Sequence, residues 1–173
     1  NFKKIKSKKF ILISNPKKLT FRYLNKIKPK YVFFPHWSKK LSKKLIDNFY
    51  CICFHETNLP YGRGGSPIQN LIIRNIKKTT ITAFKMSDKL DAGPIIMKKN
   101  LDLSGSGEKI FKNCSNIVFK MIKQIIKSKI KLKPQKGKVT YFKRLTNNSE
   151  IDSKDSSLKK LYNKIRMLDV KSY

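Results

Sequence analysis

The sequence is short of acidic residues, arginine and histidine, and it contains no long apolar run. Without about 18 consecutive apolar residues, we expect no membrane-spanning segment. Three cysteines, Cys51, Cys53 and Cys114, lack the number and spacing of a disulfide framework, which predicts reduced thiols and a cytoplasmic protein. Two histidines without a CxxC pair predict that there is no zinc site.

Lysine is what the sequence has in excess. Lys and Arg total 41 residues against 10 Asp and Glu, for a net charge of +31, and only five of the 41 are arginine. One interpretation is a nucleic-acid-binding surface, because basic side chains neutralise phosphates. Solvated lysine on most exposed faces is favoured, since arginine is the better ligand for bases and phosphates and the lysines are spread along the chain. In either case the charge attracts anionic substrates.

Apolar runs alternate with helical patterns up to residue 54, which predicts an α/β fold with a Rossmann-like, mostly parallel sheet and flanking helices. Strands are expected at 10–14, 31–34 and 50–54, with helices around 19–27 and 41–46 between them. Ligands bind beyond the carboxyl ends of such strands, where His55 and the loop 35–38 would lie.

The rest of the chain continues the pattern. A helix is expected to begin at Pro67 with Ser66 as its N-cap, and another to follow the GSGE segment and reach about residue 126. Strands are expected at 79–86, 94–103 and 138–144. We predict one domain over residues 1–145, then a polar linker (147–157) and a closing helix (158–168) within residues 146–173.

One loop combines the scarce residues. Three of the seven glycines, Gly62, Gly64 and Gly65, fall within four positions behind His55. Glycines permit positive φ and close approach to a ligand, and their N–H groups could bind an anion. Further along, Asp91 lies in a turn; a carboxylate beside an imidazole suits general acid–base or oxyanion-stabilising chemistry. On chemistry alone, a structural His55 and a plain turn residue at position 91 are an equal alternative.

Two motifs in register resemble the folate-dependent formyltransferases. The segment HETNLPYGRGGSPI (residues 55–68, here called the signature loop) has that family's His, its Pro five positions on, and its Arg-Gly and Pro-Ile pairs. The segment LDAGP (residues 90–94) resembles the turn carrying the family's catalytic Asp, at the family's usual offset of 36 residues from His55. The resemblance extends over residues 10–144, and FFPHWS and IRMLD resemble a bacterial branch of the family.

The resemblance implies transfer of a formyl group from 10-formyltetrahydrofolate to an amine, without a metal. It assigns the catalytic residues as His55, Asp91, Thr57 and Cys53. It assigns the folate-binding walls as Pro35, His36, Trp37, Ser38, Ser87, Asp88 and Leu90, with Trp37 either stacking on a ring or covering a core edge. It assigns the acceptor-binding residues as Pro60, Tyr61, Arg63, Gly64 and Gly65.

Two features depart from the family pattern. Where the family has Asn two positions before the His, this chain has Cys53, which replaces an amide donor with a weak S–H donor. A buried filler is the favoured interpretation of this cysteine over a catalytic thiol. The family also opens with a strand and a helix before residue 10, so we expect that part to be missing and the sequence to be partial.

The acceptor is left open by the sequence. An amine on an anionic sugar nucleotide is the favoured expectation, because it suits a one-domain enzyme. The alternatives are a methionyl-tRNA formyltransferase-like enzyme, a glycinamide-type acceptor, and a non-catalytic protein that binds nucleic acid or folate on the same fold. The oligomeric state is not indicated.

Overall fold

The computed structural model describes residues 10–145 and 157–169. Helices lie against a four-stranded sheet, and two very short strands form a second sheet. The strands are β1 (Val32–Pro35), β2 (Cys51–His55), β3 (Arg63–Gly64), β4 (Lys78–Lys85), β5 (Ile95–Asp102) and β6 (Tyr141–Phe142). The helices are α1 (Phe21–Ile27), α2 (Lys43–Asn48), α3 (Pro67–Ile73), α4 (Gly107–Lys127) and α5 (Leu158–Leu168). The predicted α/β fold is confirmed.

The main sheet has the strand order β1-β2-β4-β5. β1 and β2 are parallel, as expected for strands joined by a helix, here α2. β4 is antiparallel to both of its neighbours, and a turn rather than a crossover helix joins it to β5. The described sheet is therefore mixed: its first half has the parallel order expected from the sequence, and its second half is a hairpin.

β2 is buried on both faces and separates two hydrophobic cores. Ile52 and Phe54 face a core that includes buried residues of α3, α4 and α5, whereas Cys51 and Cys53 face a second core that includes residues of α1 and α2. Successive side chains of a strand point to opposite faces. His55 therefore ends β2 on the same face as Cys53.

Short polar residues set where several helices begin. Thr20 caps α1 by accepting a hydrogen bond from the N–H of Tyr23 (3.1 Å), and Ser106 caps α4 by accepting one from the N–H of Lys109 (3.3 Å). Lys28 ends α1 in the left-handed region, with φ of 43°. Side-chain caps thus fix where α1 and α4 begin, and a left-handed residue fixes where α1 ends.

Three local predictions are corrected. The strand predicted at 10–14 is wrong: these residues form no strand, and Ile11 and Leu12 are 59% and 55% exposed, because no neighbouring strand among the described residues pairs with them. The strand predicted at 138–144 contracts to β6, since only two residues pair with β3. Ser66 does precede α3, but it has φ of 47° and makes no capping hydrogen bond; its hydroxyl accepts from the N–H of Leu145 (3.2 Å).

The predicted closing helix is confirmed as α5, which contacts α3 and α4. Buried Arg166 attaches α5 to the segment before α4, because its Nη1 donates to the carbonyls of Leu103 (2.6 Å) and Gly105 (3.0 Å). The predicted linker lies outside the described residues except for Ser157, which caps α5. Within the two described ranges, no helix is long and apolar enough to cross a membrane.

Candidate active site

His55 is oriented by the signature loop that follows it. The ring is buried, and its Nε2 lies 2.7 Å from the carbonyl oxygen of Gly62. Because a carbonyl only accepts, we assign the Nε2 proton to this hydrogen bond. Thr57 also donates to the Gly62 carbonyl, over 3.4 Å. The other ring nitrogen, Nδ1, faces the Asp91 carboxylate, with 3.8 Å between Nδ1 and Oδ2.

Asp91 comes from the connection between β4 and β5, where it has φ of 46°. Its Oδ2 accepts a hydrogen bond from the N–H of Gly64 (2.8 Å) while facing the imidazole of His55. The two predicted residues are thus brought together by the fold. Their separation is longer than a hydrogen bond, as is common for catalytic pairs without bound substrate.

Gln135, which the sequence analysis did not select, connects the two halves of the site. Its Nε2 donates to the carbonyls of Asp91 (2.8 Å) and Gly93 (2.9 Å). Its Oε1 accepts from Nε (3.2 Å) and Nη2 (2.7 Å) of Arg63. One side chain therefore ties the Asp91 turn to the signature loop. Arg63, an expected acceptor-binding residue, uses these two guanidinium nitrogens within the protein.

The glycines of the signature loop allow a close approach to the protein's own later strand. Gly64 has φ of 104°, and a Cβ there would lie 2.5 Å from the carbonyl oxygen of Phe142. A Cβ on Gly65 would lie 2.8 Å from Cβ of Arg144. The loop is thus packed against β6 and the residues after it, and the N–H of Gly64 is directed at Asp91.

The other expected acceptor-binding residues lie at the outer part of the loop. Tyr61 is 37% exposed, and its ring meets Phe142 edge-on at 5.4 Å. Pro60 is buried and follows a cis peptide bond. Lys98 of β5 donates to the carbonyl of Leu59 (2.8 Å), and its partial burial lowers its pKa. The loop is therefore attached to β5 as well as to β6.

A cleft of about 620 Å³ opens beside the signature loop. Tyr61 forms part of its wall, whereas neither His55 nor Asp91 lines it. The lining residues are Asn58, Tyr61, Leu71, Ile76, Lys78, Thr79, Thr80, Asn100, Leu101 and Asp102. The cleft adjoins the loop without containing the facing pair.

Cys53 is buried on the His55 face of β2, and its Sγ has a weak contact with the carbonyl of Phe54 (3.9 Å). Burial raises the pKa of the Cys53 thiol well above its usual value, and the negative charges of Asp91 and Glu56 raise it further. The thiol is therefore protonated at neutral pH. It offers a weak S–H donor and no thiolate nucleophile.

His36 and Glu56 form a second imidazole–carboxylate pair, with 2.9 Å between Nδ1 and Oε1. Burial acts to raise the pKa of Glu56, but the hydrogen bond and charge of His36, with the charge of His55, outweigh it and leave the pKa below its usual value. Burial acts to lower the pKa of His36, but the hydrogen bond and charge of Glu56 outweigh it and leave that pKa raised. The pair joins the loop 35–38 to the end of β2.

Cys114 of α4 lies beside this pair, with its Sγ 3.9 Å from Nε2 of His36 and 3.8 Å from Oε1 of Glu56. Within the part of the chain that the structure describes, these three residues form a group whose ligand atoms lie within 4.8 Å of one another. Burial, followed by the charge of Glu56, raises the pKa of the Cys114 thiol far above its usual value. A metal ion would therefore have to displace both the thiol proton and the existing ion pair.

The expected folate-binding walls are the loop after β1 and the loop after β4. Trp37 packs edge-on against Phe34 (5.2 Å) at the margin of the α1–α2 core, which favours its interpretation as a core-edge cover. Its Nε1 is buried and has no hydrogen-bond partner among the residues that the structure describes. Leu90, on the second loop, is 60% exposed. The side chain of Leu90 is therefore open to contact with a ring, whereas the N–H of Trp37 is enclosed by the protein. The remaining wall residues are half-buried (Pro35, Ser87) or exposed (Ser38, Asp88).

A buried histidine at the carboxyl end of a central strand, faced by a carboxylate from a neighbouring turn, is the arrangement of a candidate acid–base site on an α/β fold. Residues 3–109 match the model of the family described as Formyl transferase, which is more than half of the chain. The chain belongs to the formyl transferase family.

Individual relatives agree with this. The solved methionyl-tRNA formyltransferase from Clostridium thermocellum is 45% identical, with a TM-score of 0.89 over 93% of this chain and 71% of that one. A methionyl-tRNA formyltransferase of Kosmotoga olearia is 27% identical over 86% of this chain and 51% of its own length. A sugar N-formyltransferase from Shewanella sp. FDAARGOS_354 shares the fold at 16% identity, with a TM-score of 0.65 over 90% of this chain and 67% of that one. The chain spans about half the length of the curated relatives it matches.

Sequence reasoning missed three residues that shape the site. Thr140 accepts a hydrogen bond from the N–H of Gly62 (2.7 Å), and Gln135 links the Asp91 turn to the loop. Neither has a local signal, because each acts across a long stretch of chain. Glu56 did have one: it is an acidic residue directly after a buried strand in a chain with only 10 acidic residues.

Proposed function

We propose that the protein is an N-formyltransferase that moves a formyl group from 10-formyltetrahydrofolate to a primary amine. The observation that carries this proposal is the facing pair of His55 Nδ1 and Asp91 Oδ2 at 3.8 Å, with the N–H of Gly64 on the same carboxylate oxygen. Formyl transfer to an amine needs a donor for the formyl oxygen and a base for the amine proton. The pair supplies both.

Each residue of the site has a distinct role in this proposal. 10-Formyltetrahydrofolate supplies the formyl group. His55, in its protonated form, donates from Nδ1 to the formyl oxygen as negative charge develops there, while Nε2 stays bonded to the Gly62 carbonyl. Asp91 would accept the proton of the attacking amine, directly or through a water. The bond between the formyl carbon and the donor nitrogen would then break, and the proton would pass to that nitrogen, which releases tetrahydrofolate. Thr57 supports the same Gly62 carbonyl, and Cys53 supplies a weaker donor than the family's amide.

Residues 35–38 and 87–90 would hold the folate, with the exposed side chain of Leu90 available to lie against its ring. The proposed acceptor-binding residues stay Pro60, Tyr61, Arg63, Gly64 and Gly65. Two guanidinium nitrogens of Arg63 are bonded to Gln135, so Arg63 would contact an acceptor with the rest of its side chain. The cleft beside Tyr61 offers room for part of an acceptor next to the loop. We place the enzyme in the cytoplasm, where folate cofactors and aminoacyl-tRNA occur.

Methionyl-tRNA is the acceptor that we propose first. The relatives at 45% and 27% identity are both named methionyl-tRNA formyltransferases, whereas the sugar N-formyltransferase supports the fold alone. This reverses the order expected from the sequence, which favoured a sugar nucleotide. The net charge of +31 attracts either anionic acceptor, so charge does not decide between them.

The test is amine-dependent release of tetrahydrofolate from 10-formyltetrahydrofolate, with methionyl-tRNA and a panel of nucleotide-linked amino sugars as acceptors. Asp91→Asn should abolish release with the true acceptor. Asp47→Asn is the matched control, because it removes an exposed carboxylate of α2 that pairs with Lys43. Release that survives Asp91→Asn would refute the proposed roles. If the protein binds RNA in a salt-sensitive way but releases no tetrahydrofolate with any acceptor, the alternative of a non-catalytic binding protein would be favoured.

A further inference from the structure

Glu56 is a buried carboxylate directly after a buried strand, and it is 5% exposed. A carboxylate in such a place is destabilising unless it is paired. Its partner is His36 of the loop after β1, with 2.9 Å between Nδ1 and Oε1. The pair thus joins a residue adjacent to His55 with the loop expected to hold folate.

His36 is held in a conformation that few residues other than glycine adopt. Its φ is 51°, in the left-handed region, and its ring also lies against Phe111 of α4 at a centroid distance of 5.7 Å. Two contacts of one side chain, to Glu56 and to α4, therefore fix the path of the neighbouring backbone, including Trp37.

We propose that His36 and Glu56 are a positioning couple that holds residues 35–38 in the shape that binds the formyl donor. The inference rests on the proposed function, since it assigns the donor-binding role to this loop. Glu56 acts through His36 and through the loop, and it does not touch the reacting atoms. Losing the pair releases the loop and the indole of Trp37, so folate binding weakens while His55 and Asp91 stay in place.

The couple is faced by groups from two elements: Cys53 and His55 of β2, and Cys114 of α4. Burial raises the pKa of both thiols, so both are neutral near pH 7. The pKa of His36 is raised in the folded protein, so His36 carries its charge at pH values below this pKa. The ion pair is lost as the pH rises through the pKa of His36. The pKa of Glu56 is lowered, so on the acid side the pair is lost as the pH falls through it.

The experiment compares wild type with Glu56→Gln and His36→Gln, with Asp47→Asn as the ion-pair control. Tetrahydrofolate binding is measured from the fluorescence of Trp37, the sole tryptophan, across pH. Because the chain has two histidines, NMR can follow each ring separately, and variants that lack one histidine assign the signals. We expect both glutamine variants to bind about 10- to 100-fold more weakly, the loss of one charge-assisted hydrogen bond. Wild-type binding should weaken as the pH rises through the His36 titration, and His36→Gln should remove that dependence.

Equal folate affinity and equal pH dependence in wild type and both variants would overturn the inference. An unshifted His36 titration in Glu56→Gln would overturn the pairing itself. Wild type that binds no folate would overturn the proposed function together with the donor-binding role, while the NMR titration would separately report the pair. Stoichiometric zinc binding that Cys114→Ser abolishes would overturn the couple in favour of a metal centre formed by the same three side chains.

Discussion

Replacing Gln135 with glutamate changes the side-chain nitrogen to oxygen. The change removes the hydrogen bonds that Gln135 donates and keeps those that it accepts. The oxygen that accepts from Arg63 is kept and gains charge. The nitrogen that donates to the carbonyls of Asp91 and Gly93 is replaced by an oxygen that faces both carbonyls without a proton. The variant therefore tests whether Gln135 positions the Asp91 turn.

The expected magnitude follows from the contacts. Two donated hydrogen bonds are lost at 2.8 and 2.9 Å, and each is worth about 1 kcal/mol net in a partly buried place. The stronger contact with Arg63 offsets roughly 1 kcal/mol. We expect the free energy of unfolding to fall by about 1–2 kcal/mol, including repulsion between oxygens. A turn displaced by about 1 Å should lower kcat/KM by about 100-fold.

Urea unfolding measures the first quantity and tetrahydrofolate release measures the second. Gln135→Ala, which removes both sets of contacts, should destabilise more than Gln135→Glu. Lys136→Ala changes the exposed neighbour and should affect neither measurement. If Gln135→Glu were as stable and as active as wild type, the turn would not depend on this side chain, and our account of the site would fail.

Three further outcomes are expected. Cys53→Asn restores an amide where the family has one and should raise turnover by about 100-fold in the release assay; unchanged turnover would show that another group already stabilises the formyl oxygen. Gly93→Ala should destabilise the protein by about 3 kcal/mol in urea, because a Cβ would overlap the carbonyl of Lys85, and wild-type stability would mean that the hairpin can open there. Burial raises the pKa of Cys51 to about 11, although the charge of Lys85 acts to lower it. Burial also raises the pKa values of the Cys53 and Cys114 thiols. Iodoacetamide at pH 8 should therefore label none of the three in the folded chain and all three in urea by mass spectrometry, and labelling of the folded chain would contradict the burial.

Elements set by short-range pattern were predictable from the sequence. α5 occupies the predicted residues 158–168, because its cap, Ser157, and its helical period lie in one short stretch. β2 was predictable for the same reason, since an apolar run bounded by polar residues needs no distant information. The strand predicted at 10–14 failed because a strand is defined by its partner, which a local pattern does not contain.

The candidate site shows the same division. His55 and Asp91 were found because two motifs kept their spacing, and the fold brings them to 3.8 Å. Gln135 was missed because it meets Arg63 across 72 residues of sequence, from a lysine-rich segment with no pattern of its own. Glu56 was passed over between two residues with assigned roles, although a buried acid in so basic a chain was a usable signal.

The pairing of the signature loop with β6 has a consequence for synthesis on the ribosome. Gly62 and its hydrogen-bond partner Thr140 are 78 residues apart. At about 5–20 residues per second, the loop waits roughly 4–16 s after its own translation before the segment that covers it has been made. Until then its glycines have no strand to pack against and the carboxylate turn has no Gln135. While those 78 residues are made, the nascent chain therefore carries the candidate site in an unassembled form, and the site can be completed only after the segment up to Thr140 has left the ribosome.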